Sequence, residues 1–399
     1  MAVGKEFDVI IVGAGPIGSA TAERLAQASL RVALLEEHPR VGLPNHCSGL
    51  VSPRTLKLAG IAEETVGLVK FDCARVWSPG GKTLRLRADS AQAIAIDRPR
   101  FDQILAERAT DTGAHLFLNT RALRFERMNG SVQVEAQTEN GGCHFYAPLL
   151  IGADGANSRV ARWMGRECEH EIIPAFKADI AFQGAGTDSI EIFVGNAVAP
   201  GLFGWVIPLP GSVARVGIGV TETPRRYFKA FLDMVQRRFG DFAIQEQMGA
   251  TLPLGPAQNF VGERVMLVGA AAHQTKPTTG GGLYFGLRAA ELAAATAIEA
   301  AECGDFSHHT LSEYERRWQR LDGQELVYGH WLRELLLKLS DGELDLIVQL
   351  LGIPFLQDLT RRLGDIDYPS RLFEKLISTT RNWTAATKIE SEQFVTTDV

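Results

Sequence analysis

Short apolar runs alternate with helical stretches along most of the chain, and this pattern predicts a mixed α/β fold. Residues 8–12 and 32–35 are brief and rich in aliphatic side chains, which is typical of buried parallel strands. The stretch between them, residues 16–28, has helical character and carries small residues suited to close packing. Strand, helix and strand in this order predict one βαβ unit at the N-terminus.

The pattern further along the chain predicts a second helix that begins at Asp97, with Pro99 at an early position where its missing N–H costs nothing. Residues 172–220 show strand-like alternation with Pro/Gly turns, which indicates a sheet inserted into the chain. Other short strands are predicted near residues 114–118, 132–137, 149–153 and 265–268. Elements typical of an α/β protein therefore flank the inserted sheet.

A glycine-rich loop after the last of these strands leads into an alanine-rich helix over residues 283–301. The remainder of the chain is predicted to be helical. Ser340 and Glu343 have the spacing of a capping box, which predicts a helix start at that point. Pro354 is expected to close that helix.

Composition and charge exclude several classes of protein. A chain of 399 residues has room for about two or three domains, and 45% hydrophobic with 22% charged residues is ordinary for a soluble globular protein. The net charge of −6 and the lack of a Lys/Arg run argue against binding to nucleic acid. The cysteines are odd in number, scattered and never spaced as CxxC, so we expect no metal site, no disulfide framework and a reducing compartment. They are Cys47, Cys73, Cys143, Cys168 and Cys303.

The sequence contains no pattern typical of a targeting signal or a membrane span. Lys5 and Glu6 precede a short apolar run over residues 9–12, which a glycine loop ends at once. No stretch approaches the roughly 18 uninterrupted apolar residues that a spanning helix needs. We therefore expect a cytoplasmic protein that could meet a membrane only at its surface.

Residues 13–18, with the sequence GAGPIG, directly follow the first predicted strand and open the first predicted helix. Gly13 permits the tight turn, and Gly15 lets the backbone approach a pyrophosphate at the positive end of the helix. Gly18 allows the helix to pack closely on the strand. The segment therefore predicts a dinucleotide-binding turn.

An acidic residue lies where such a turn needs one. Glu36 ends the second predicted strand, 23 residues after Gly13, where a carboxylate accepts hydrogen bonds from ribose hydroxyls. Glu37 takes this role if the strand ends one residue later. The carboxylate disfavours a 2′-phosphate, so this pocket is not predicted to bind NADP.

A second motif covers residues 151–155, IGADG, with Ser158 and Arg162 beyond it. The chain here resembles the flavoprotein group that includes the aromatic hydroxylases, whose DGxxSxxR segment supports the FAD and a bound nicotinamide. Without the glycine turn, a strand followed by an Asp-Gly turn would explain the segment as well. After the glycine turn, at this separation, the interpretation as a flavin site is favoured.

A third motif narrows the family. Residues 268–282, VGAAAHQTKPTTGGG, resemble the geranylgeranyl reductase family, in which a GDAA turn is followed by a Pro-x-Thr-Gly-Gly-Gly loop at the flavin. Three consecutive glycines before a helix bring backbone N–H groups against the isoalloxazine or its phosphates. A flexible loop is disfavoured by Pro277 and the β-branched threonines.

Two other segments carry the same resemblance. Residues 44–50, PNHCSGL, resemble the family's Pro-x-x-Cys-Gly segment, which lies along the flavin. Residues 203–208, FGWVIP, resemble its Tyr-x-Trp-x-Phe-Pro segment, which lines the prenyl pocket. By the same alignment, Arg98 falls where the family holds the FAD phosphates and Ala122 where backbone atoms meet the adenine.

The resemblance implies a noncovalent FAD and a set of residues that contact it or the substrate. The implied cofactor contacts are Gly13, Gly15, Gly18, Ser19, Glu36, Cys47, Ser48, Gly49, Arg98, Ala122, Asp154, Gly155, Ala270, Gly281, Gly282 and Leu283. The implied substrate contacts are Phe203, Trp205 and Tyr284. Cys47 is the candidate catalytic residue, although small buried cysteines are common. His273 is either a proton donor or a structural histidine, and Trp205 is either a pocket wall or a core aromatic residue.

The expected fold is an α/β flavoprotein with a Rossmann-type FAD-binding domain, an inserted antiparallel β-sheet substrate domain and a C-terminal helical extension. We predict that the FAD-binding domain is discontinuous, over residues 1–165 and 255–305. Residues 166–254, together with a part near 70–97, are predicted to form the substrate domain. Residues 306–399 are predicted to form the helical extension.

The sequence departs from the family pattern at three positions. Ala270 replaces the aspartate that bonds the ribityl chain, which removes a charge-assisted contact of about 1.5–3 kcal/mol. Phe203 lacks a hydroxyl, and Ile207 lacks a ring, relative to the prenyl-pocket pattern. These changes bear on FAD affinity and on the identity of the substrate.

The activity that the resemblance implies is reduction of isolated C=C bonds in a geranylgeranyl or polyprenyl chain, by hydride from flavin N5 followed by a proton. The protein then positions the substrate and dehydrates the site. The sequence leaves open the headgroup, the electron donor (NAD(P)H or a ferredoxin-like protein), a redox partner and a peripheral membrane contact. Two alternatives are a flavin-dependent aromatic monooxygenase and a prenyl-lipid binding protein with a vestigial flavin site.

Overall fold

A computed structural model of the chain describes residues 4–166, 171–182 and 188–370. The strands in these ranges are β1 (Gly4–Glu6), β2 (Val9–Val12), β3 (Val32–Leu35), β4 (Leu50–Val51), β5 (Gly67–Phe71), β6 (Cys73–Trp77), β7 (Thr83–Arg87), β8 (Ala93–Ile96), β9 (His115–Phe117), β10 (Arg121–Met128), β11 (Ser131–Thr138), β12 (Gly141–Ala147), β13 (Leu149–Gly152), β14 (Ile172–Phe182), β15 (Ile190–Phe193), β16 (Gly204–Leu209), β17 (Val213–Gly219), β18 (Phe242–Pro253), β19 (Val261–Gly262) and β20 (Val265–Leu267).

The helices in the same ranges are α1 (Pro16–Gln27), α2 (Pro53–Ala59), α3 (Glu63–Val66), α4 (Arg98–Asp111), α5 (Arg159–Trp163), α6 (Pro224–Phe239), α7 (Leu283–Cys303), α8 (His308–Trp318), α9 (Gln324–Leu337), α10 (Asp341–Leu351) and α11 (Pro354–Leu363). A 3₁₀ turn over Gly269–Ala272 precedes α7, and a π turn over Gln319–Gly323 joins α8 to α9.

A mostly parallel sheet forms the centre of the nucleotide-binding half. Its strand order is β19-β20-β13-β2-β3-β9, with only β19 antiparallel to its neighbour. Strands β2, β3 and β13 are buried along their whole length, because α1 packs against β2 and β3, while β11 and β12 of the four-stranded sheet β1-β12-β11-β10 pack against β13 and β2. Helices α1 and α7 pack against each other, and Gly286 provides the close approach: a Cβ there would lie 2.6 Å from Ile17 Cδ1.

The second large sheet has the order β18-β14-β17-β16-β15-β6-β7 and is mainly antiparallel. Strands from the region before α4 and the region after α5 therefore join in one sheet, through the parallel pair of β15 and β6. One face packs under α6, with Ala178, Val206 and Val216 in contact with the buried rings of Phe228 and Phe231. Because side chains alternate along a strand, the residues between these point to the opposite face.

The fold class predicted from the sequence is confirmed, and many of the predicted elements are present. Strands β2, β3 and β13, and helices α1, α4 and α7, lie within about two residues of their predicted bounds. The capping box is also present, since Ser340 Oγ accepts from Glu343 N and the Glu343 side chain accepts from Ser340 N. The division into domains stays a prediction.

Two elements differ from the prediction. Pro354 does not close α10, which ends at Leu351; instead it occupies the first position of α11, where a missing N–H is harmless. The inserted sheet does not end near Val220, because α6 is followed by the long strand β18. That strand lies at the sheet edge and is mostly exposed, so its sequence lacks a buried apolar run.

The predicted helical character after residue 305 holds for α8 to α11, whereas residues 371–399 lie outside the described residues. Cys168 also lies outside them. Within the described ranges, no helix is both long enough and apolar enough to cross a bilayer.

Candidate cofactor and substrate site

The three glycines of the first motif meet three different steric conditions. A Cβ on Gly13 would lie 2.5 Å from Ala153 O, and the residue has φ +101, which disfavours other side chains. A Cβ on Gly18 would lie 1.9 Å from Gly13 O, so the helix can approach the turn only without a side chain. A Cβ on Gly15 would meet no protein atom within 4 Å. The turn is therefore closed on its protein side and open where a pyrophosphate would lie against the start of α1.

Glu36 lies at the end of β3 beside this turn. One carboxylate oxygen accepts from Ala14 N at 3.0 Å, and the other accepts from His38 N at 3.0 Å and lies 2.6 Å from His38 Nδ1. Glu36 is almost fully buried, whereas the alternative, Glu37, is exposed. Glu36 therefore lies beside the glycine turn, and its predicted contact with a ribose stays a prediction.

Ser19 and Ala122, which the resemblance implied as cofactor contacts, support the surrounding backbone in this structure. Ser19 is fully buried, and its hydroxyl donates to Ala14 O at 3.0 Å. Ala122 is buried at an irregularity of β10, and its carbonyl accepts from Arg159 Nη1 at 3.2 Å. Both residues lie near the predicted nucleotide site, and their contact with a cofactor stays a prediction.

Asp154 serves mainly as a local cap. Its carboxylate accepts from Ser158 Oγ at 2.5 Å, from Arg159 N at 2.6 Å and from Val160 N at 3.1 Å, so it satisfies the first N–H groups of α5. Burial raises the pKa of Asp154, although these hydrogen bonds oppose the shift. Gly155 has φ +76 and open space beside its Cα, which leaves room for a ligand.

A cavity of about 320 Å³ adjoins this segment. Its lining includes Arg162 of the DGxxSxxR motif together with Arg166, Asn157, Gln258 and His273. Guanidinium and amide groups make one part of this lining positive and polar, whereas Ile172, Phe260 and Leu267 make another part apolar. The cavity lies on the side of the 3₁₀ turn where Ala271 and Ala272 are exposed to it.

Arg98 is the first residue of α4, and its guanidinium forms a bidentate pair with Asp102, at 2.7 and 3.1 Å. Burial opposes the charge of Arg98, but Asp102 and the side chain of Cys47 both raise its pKa. Arg98 therefore joins the helix start to the cysteine segment. Its predicted contact with the FAD phosphates stays untested.

The segment Cys47–Gly49 leads into β4 of the three-stranded sheet β4-β8-β5 and contacts β14 and β17 of the seven-stranded sheet. Gly49 N donates to Cys47 Sγ at 3.3 Å, and Cys47 N donates to Asn45 Oδ1 at 3.3 Å. Cys47 is half-buried, while Gly49 adopts φ +67. These bonds fix a tight turn whose Cys47 and Ser48 carbonyls accept hydrogen bonds from side chains of the seven-stranded sheet.

The loop between the 3₁₀ turn and α7 closes on itself. Lys276 N donates to Gly281 O at 3.1 Å, and Gly280 N donates to Lys276 O at 2.9 Å. A Cβ on Gly281 would lie 2.8 Å from Lys276 Cε, and one on Gly282 would lie 2.7 Å from a Thr275 methyl. The three consecutive glycines therefore allow this loop to pack tightly before Leu283 begins α7.

The C-terminal segment closes the outer side of this loop. Lys276 Nζ donates to Ile366 O at 2.8 Å and pairs with Asp367 Oδ1 at 3.2 Å. The Tyr284 hydroxyl lies 3.2 Å from that of Tyr368, so Tyr284 faces the C-terminal segment. Its predicted role as a substrate contact stays untested.

Phe203 and Trp205 form an aromatic pair with ring centroids 5.9 Å apart. Trp205 is half-buried beside the partly buried side chains of Leu50 and Ile192, on the sheet face opposite α6. Its ring covers Gly217, where a Cβ would lie 2.2 Å from Trp205 Cζ2. Trp205 is therefore held at the rim of a cluster between the seven-stranded sheet and the three-stranded sheet β4-β8-β5, and part of its side chain remains accessible.

Sequence patterns did not reveal two buried cations beside Cys47. Lys177 Nζ donates to Cys47 O at 3.1 Å, and Arg215 Nη1 donates to Ser48 O at 3.1 Å. Both are polar residues within strands, and the strand alternation alone would assign such residues to solvent. Their distance along the chain from Cys47 hides the contact.

The residues present fit an FAD molecule. The open side of Gly15, the start of α1 and the carboxylate of Glu36 suit a pyrophosphate and a ribose. In the described ranges, no cluster of metal-ligating side chains is found.

Replacing Ala270 with aspartate is expected to tighten FAD binding by about 10- to 160-fold, because it adds a charge-assisted hydrogen bond worth about 1.5–3 kcal/mol. Ala270 is only half-buried in the 3₁₀ turn, so a larger side chain at this position need not be packed into the core. Titration of the apoprotein with FAD measures the effect. Ala270→Asn, which adds the bulk without the charge, is the control, and an unchanged or higher dissociation constant for Ala270→Asp would contradict the prediction.

Replacing Glu36 with alanine is expected to lower FAD occupancy of the purified protein several-fold, because the ribose loses its carboxylate acceptor. Occupancy is measured from the ratio of flavin to protein absorbance. Glu37→Ala is the matched control, since Glu37 is the exposed neighbour. Equal losses in the two variants would show that Glu36 has no special role.

Comparison with known proteins agrees with this geometry. A family model described as an FAD binding domain matches residues 6–324. Digeranylgeranylglycerophospholipid reductase of Methanothrix thermoacetophila is 32% identical over 357 residues, which are 85% of this chain and 89% of that protein. The enzyme of the same name from Methanocaldococcus jannaschii is 30% identical, over 87% of this chain and 90% of that protein.

Two solved structures have similar folds. A geranylgeranyl bacteriochlorophyll reductase-like protein from Thermoplasma acidophilum has a TM-score of 0.84 and 26% identity, over 94% of this chain and all of that chain. The p-nitrophenol 4-monooxygenase of Pseudomonas putida has a TM-score of 0.71 at 18% identity, over 89% of this chain and 96% of that chain. The second likeness concerns the fold alone.

Proposed function

Because this chain belongs to the geranylgeranyl reductase family of FAD-binding proteins, we propose that it is an FAD-dependent reductase that saturates isolated C=C bonds in a geranylgeranyl or polyprenyl chain. The proposal rests mainly on one observation, which is that the cysteine segment and the aromatic sheet face lie next to each other. The cysteine segment of the nucleotide-binding half contacts the sheet face that carries Trp205. An isolated alkene has no polar group for the protein to bind, so it requires an apolar wall beside the flavin site.

FAD bound at this site and reduced by two electrons from an external donor would supply the hydride for one alkene carbon, and a proton would complete the other. The residues of the chain do the remaining work. Gly13, Gly15 and Gly18 shape the pyrophosphate turn, and Glu36 holds the ribose. The loop at residues 280–282 and the segment at 47–49 bound the flavin. Phe203 and Trp205 hold the prenyl chain and exclude water from it.

The substrate class is a lipid that carries geranylgeranyl chains. The relatives with the highest identity given above are named for a digeranylgeranylglycerophospholipid, so a glycerophospholipid headgroup is the one we propose to test first. A free prenyl diphosphate and a prenylated quinone are the comparison substrates. The electron donor is tested separately with NADH, NADPH and reduced ferredoxin.

The deciding experiment uses purified, FAD-loaded protein under anoxia. The flavin is reduced with dithionite, the lipid is added, and products are followed by mass spectrometry in steps of two hydrogens. Flavin reoxidation with matching alkene loss supports the reductase. Oxygen-dependent hydroxylation of an aromatic compound would instead indicate a monooxygenase, and a colourless protein that only binds the lipid would indicate a vestigial flavin site.

We further propose that the protein contacts the membrane surface through its C-terminal helices. Large exposed apolar side chains are concentrated on α9, α10 and α11; they include Trp331, Leu335, Leu346, Leu350 and Phe355. A lipid substrate must leave the bilayer to enter the site. An apolar protein surface at the membrane lowers the free-energy barrier to this transfer.

Flotation with liposomes tests this contact. Trp331→Ser together with Phe355→Ser is expected to reduce the bound fraction, because both side chains are more than half exposed, at 55% and 71%. The pair Met128→Ser and Ile244→Ser removes exposed apolar side chains elsewhere and serves as the control. Equal binding by both double variants and the unchanged protein would contradict the proposed surface.

A further inference from the structure

Two cations from the seven-stranded sheet bind the backbone of the cysteine segment. Lys177 lies on β14, and its Nζ donates to Cys47 O at 3.1 Å. Arg215 lies on β17, and its Nη1 donates to Ser48 O at 3.1 Å and to Ile96 O at 2.9 Å. Consecutive carbonyls of one loop are thus bonded by side chains from two adjacent strands of another sheet.

Strand register explains why both cations reach the same loop. Asp179 pairs directly with Arg215 across β14 and β17, and Lys177 lies two residues before Asp179. Because side chains two positions apart share a face, all three point away from α6 and towards the nucleotide-binding half. In the next pairs of this ladder, Lys177 faces Gly217 and Gly217 faces Trp205. The cations and the aromatic wall therefore share one face.

The charges are buried at some cost. Lys177 is 3% exposed and Arg215 is 6% exposed. Burial lowers the pKa of Lys177, and the nearby charge of Arg215 lowers it further, while Asp179 opposes the shift. Asp179 lies 3.7 Å from Arg215 Nε, and among the described residues that Nε has no hydrogen-bond acceptor. Buried charges with such loose pairing do not stabilise a fold as well as apolar side chains would.

The shape of the loop matches the guanidinium. A Cβ on Gly49 would lie 2.4 Å from Arg215 Nη1 and 2.9 Å from Ile96 O. Two features therefore require glycine at position 49: its φ of +67 and the side chain of Arg215 packed against it. The contact is specific in shape as well as in charge.

We infer that Lys177 and Arg215 are positioning residues that hold the Cys47–Gly49 segment in register with the face that carries Trp205. The inference rests on the proposed function in taking that segment as one wall of the flavin site. The two cations hold the cofactor side and the substrate side of the site at a fixed distance from each other. Hydride transfer to an alkene requires such a fixed distance. This positioning role explains why two charged side chains are buried next to the cysteine segment.

The test replaces each cation by methionine, which keeps most of the side-chain length and removes the charge. Lys177→Met and Arg215→Met are expected to keep the FAD content of the unchanged protein. The rate of flavin reoxidation by the prenyl lipid is expected to fall about 10- to 100-fold, with KM changed less than kcat, because a displacement of about 1 Å has effects of that size. Lys229→Met, an exposed lysine on α6, is the matched control and should show no change.

A second readout reports on the segment itself. The alkylation rate of Cys47 by iodoacetamide, followed by peptide mass spectrometry to separate it from exposed Cys303, should rise in both variants because the carbonyl anchors are gone. Lys177→Arg should restore part of the reoxidation rate, since it returns a donor to Cys47 O.

Four outcomes separate the hypotheses. Slower reoxidation and faster alkylation at an unchanged melting temperature support the positioning role. Wild-type kinetics and wild-type alkylation in both variants would overturn it, as would a fall in melting temperature with wild-type kinetics of the folded protein. Lack of prenyl reduction by the unchanged protein would refute the proposed function instead, while the alkylation measurement would still decide whether the cations hold the segment.

Discussion

Replacing Trp205 with alanine is expected to lower prenyl-chain turnover by about 100-fold or more, while FAD stays bound and is still reduced by dithionite. The side chain lies at the rim of the cluster between the sheets, beside Leu50 and Ile192. Truncation of a packed tryptophan costs about 3–5 kcal/mol. If the Trp205 surface holds the prenyl chain, its removal lowers the stabilisation of the transition state. A loss of 3 kcal/mol corresponds to roughly a 160-fold lower rate.

The measurements are anaerobic reoxidation of reduced flavin by the prenyl lipid and thermal unfolding, both on the same variant. Trp77→Ala is the matched control, because Trp77 belongs to the same sheet but packs on the opposite face, stacked with Phe193. The control should lose stability and keep its turnover. A Trp205→Ala protein with a lower melting temperature and wild-type reoxidation would show that Trp205 is a core residue.

Replacing Lys276 with methionine is expected to destabilise the protein by about 3–5 kcal/mol, since it leaves the Asp367 carboxylate buried without its cation. Asp367 is 1% exposed, and the lysine also loses its hydrogen bond to Ile366 O. The same lysine lies in the loop that ends at residues 280–282, so FAD release should become faster as well. Urea unfolding gives the free energy, and flavin fluorescence gives the release rate.

A double variant distinguishes the buried charge from the side-chain packing. Lys276→Met combined with Asp367→Leu replaces the pair by apolar side chains of similar volume, which is often neutral or stabilising. Most of the lost stability should therefore return. Lys70→Met is the control, because the pair of Lys70 and Glu63 is exposed to solvent and should not contribute measurably. A single Lys276→Met variant as stable as the unchanged protein would contradict the prediction.

The local features that the sequence predicted and the structure contains share one property: each is encoded within a few positions of the chain. The glycines at 13, 15 and 18 and the strand that precedes them form a local unit, and each glycine has a steric or spatial reason in the structure. The position of Glu36 follows from the end of the next strand alone. The capping box at Ser340 and Glu343 is local in the same way. Short-range geometry follows from chain connectivity, so sequence spacing is enough to predict it.

Other features depend on which strands become neighbours. Strand β18 carries no buried apolar run, and it forms only because β14 offers an unpaired edge. Tyr284 lies two residues after the glycine loop, yet its hydroxyl contacts Tyr368 in the C-terminal segment. In both cases the partner, and not the local pattern, decides the outcome.

The sequence by itself determined the nucleotide-binding turn, the order of elements and the resemblance that led to the flavin. Only the tertiary structure decided that Lys177 and Arg215 bind the backbone of residues 47–49, and that Lys276 pairs with Asp367. A charged residue in a strand or a loop is ordinarily solvated, because burying it is costly. Its burial becomes tolerable only when distant parts of the chain bring an acceptor to it, and periodicity along one segment carries no information about that acceptor.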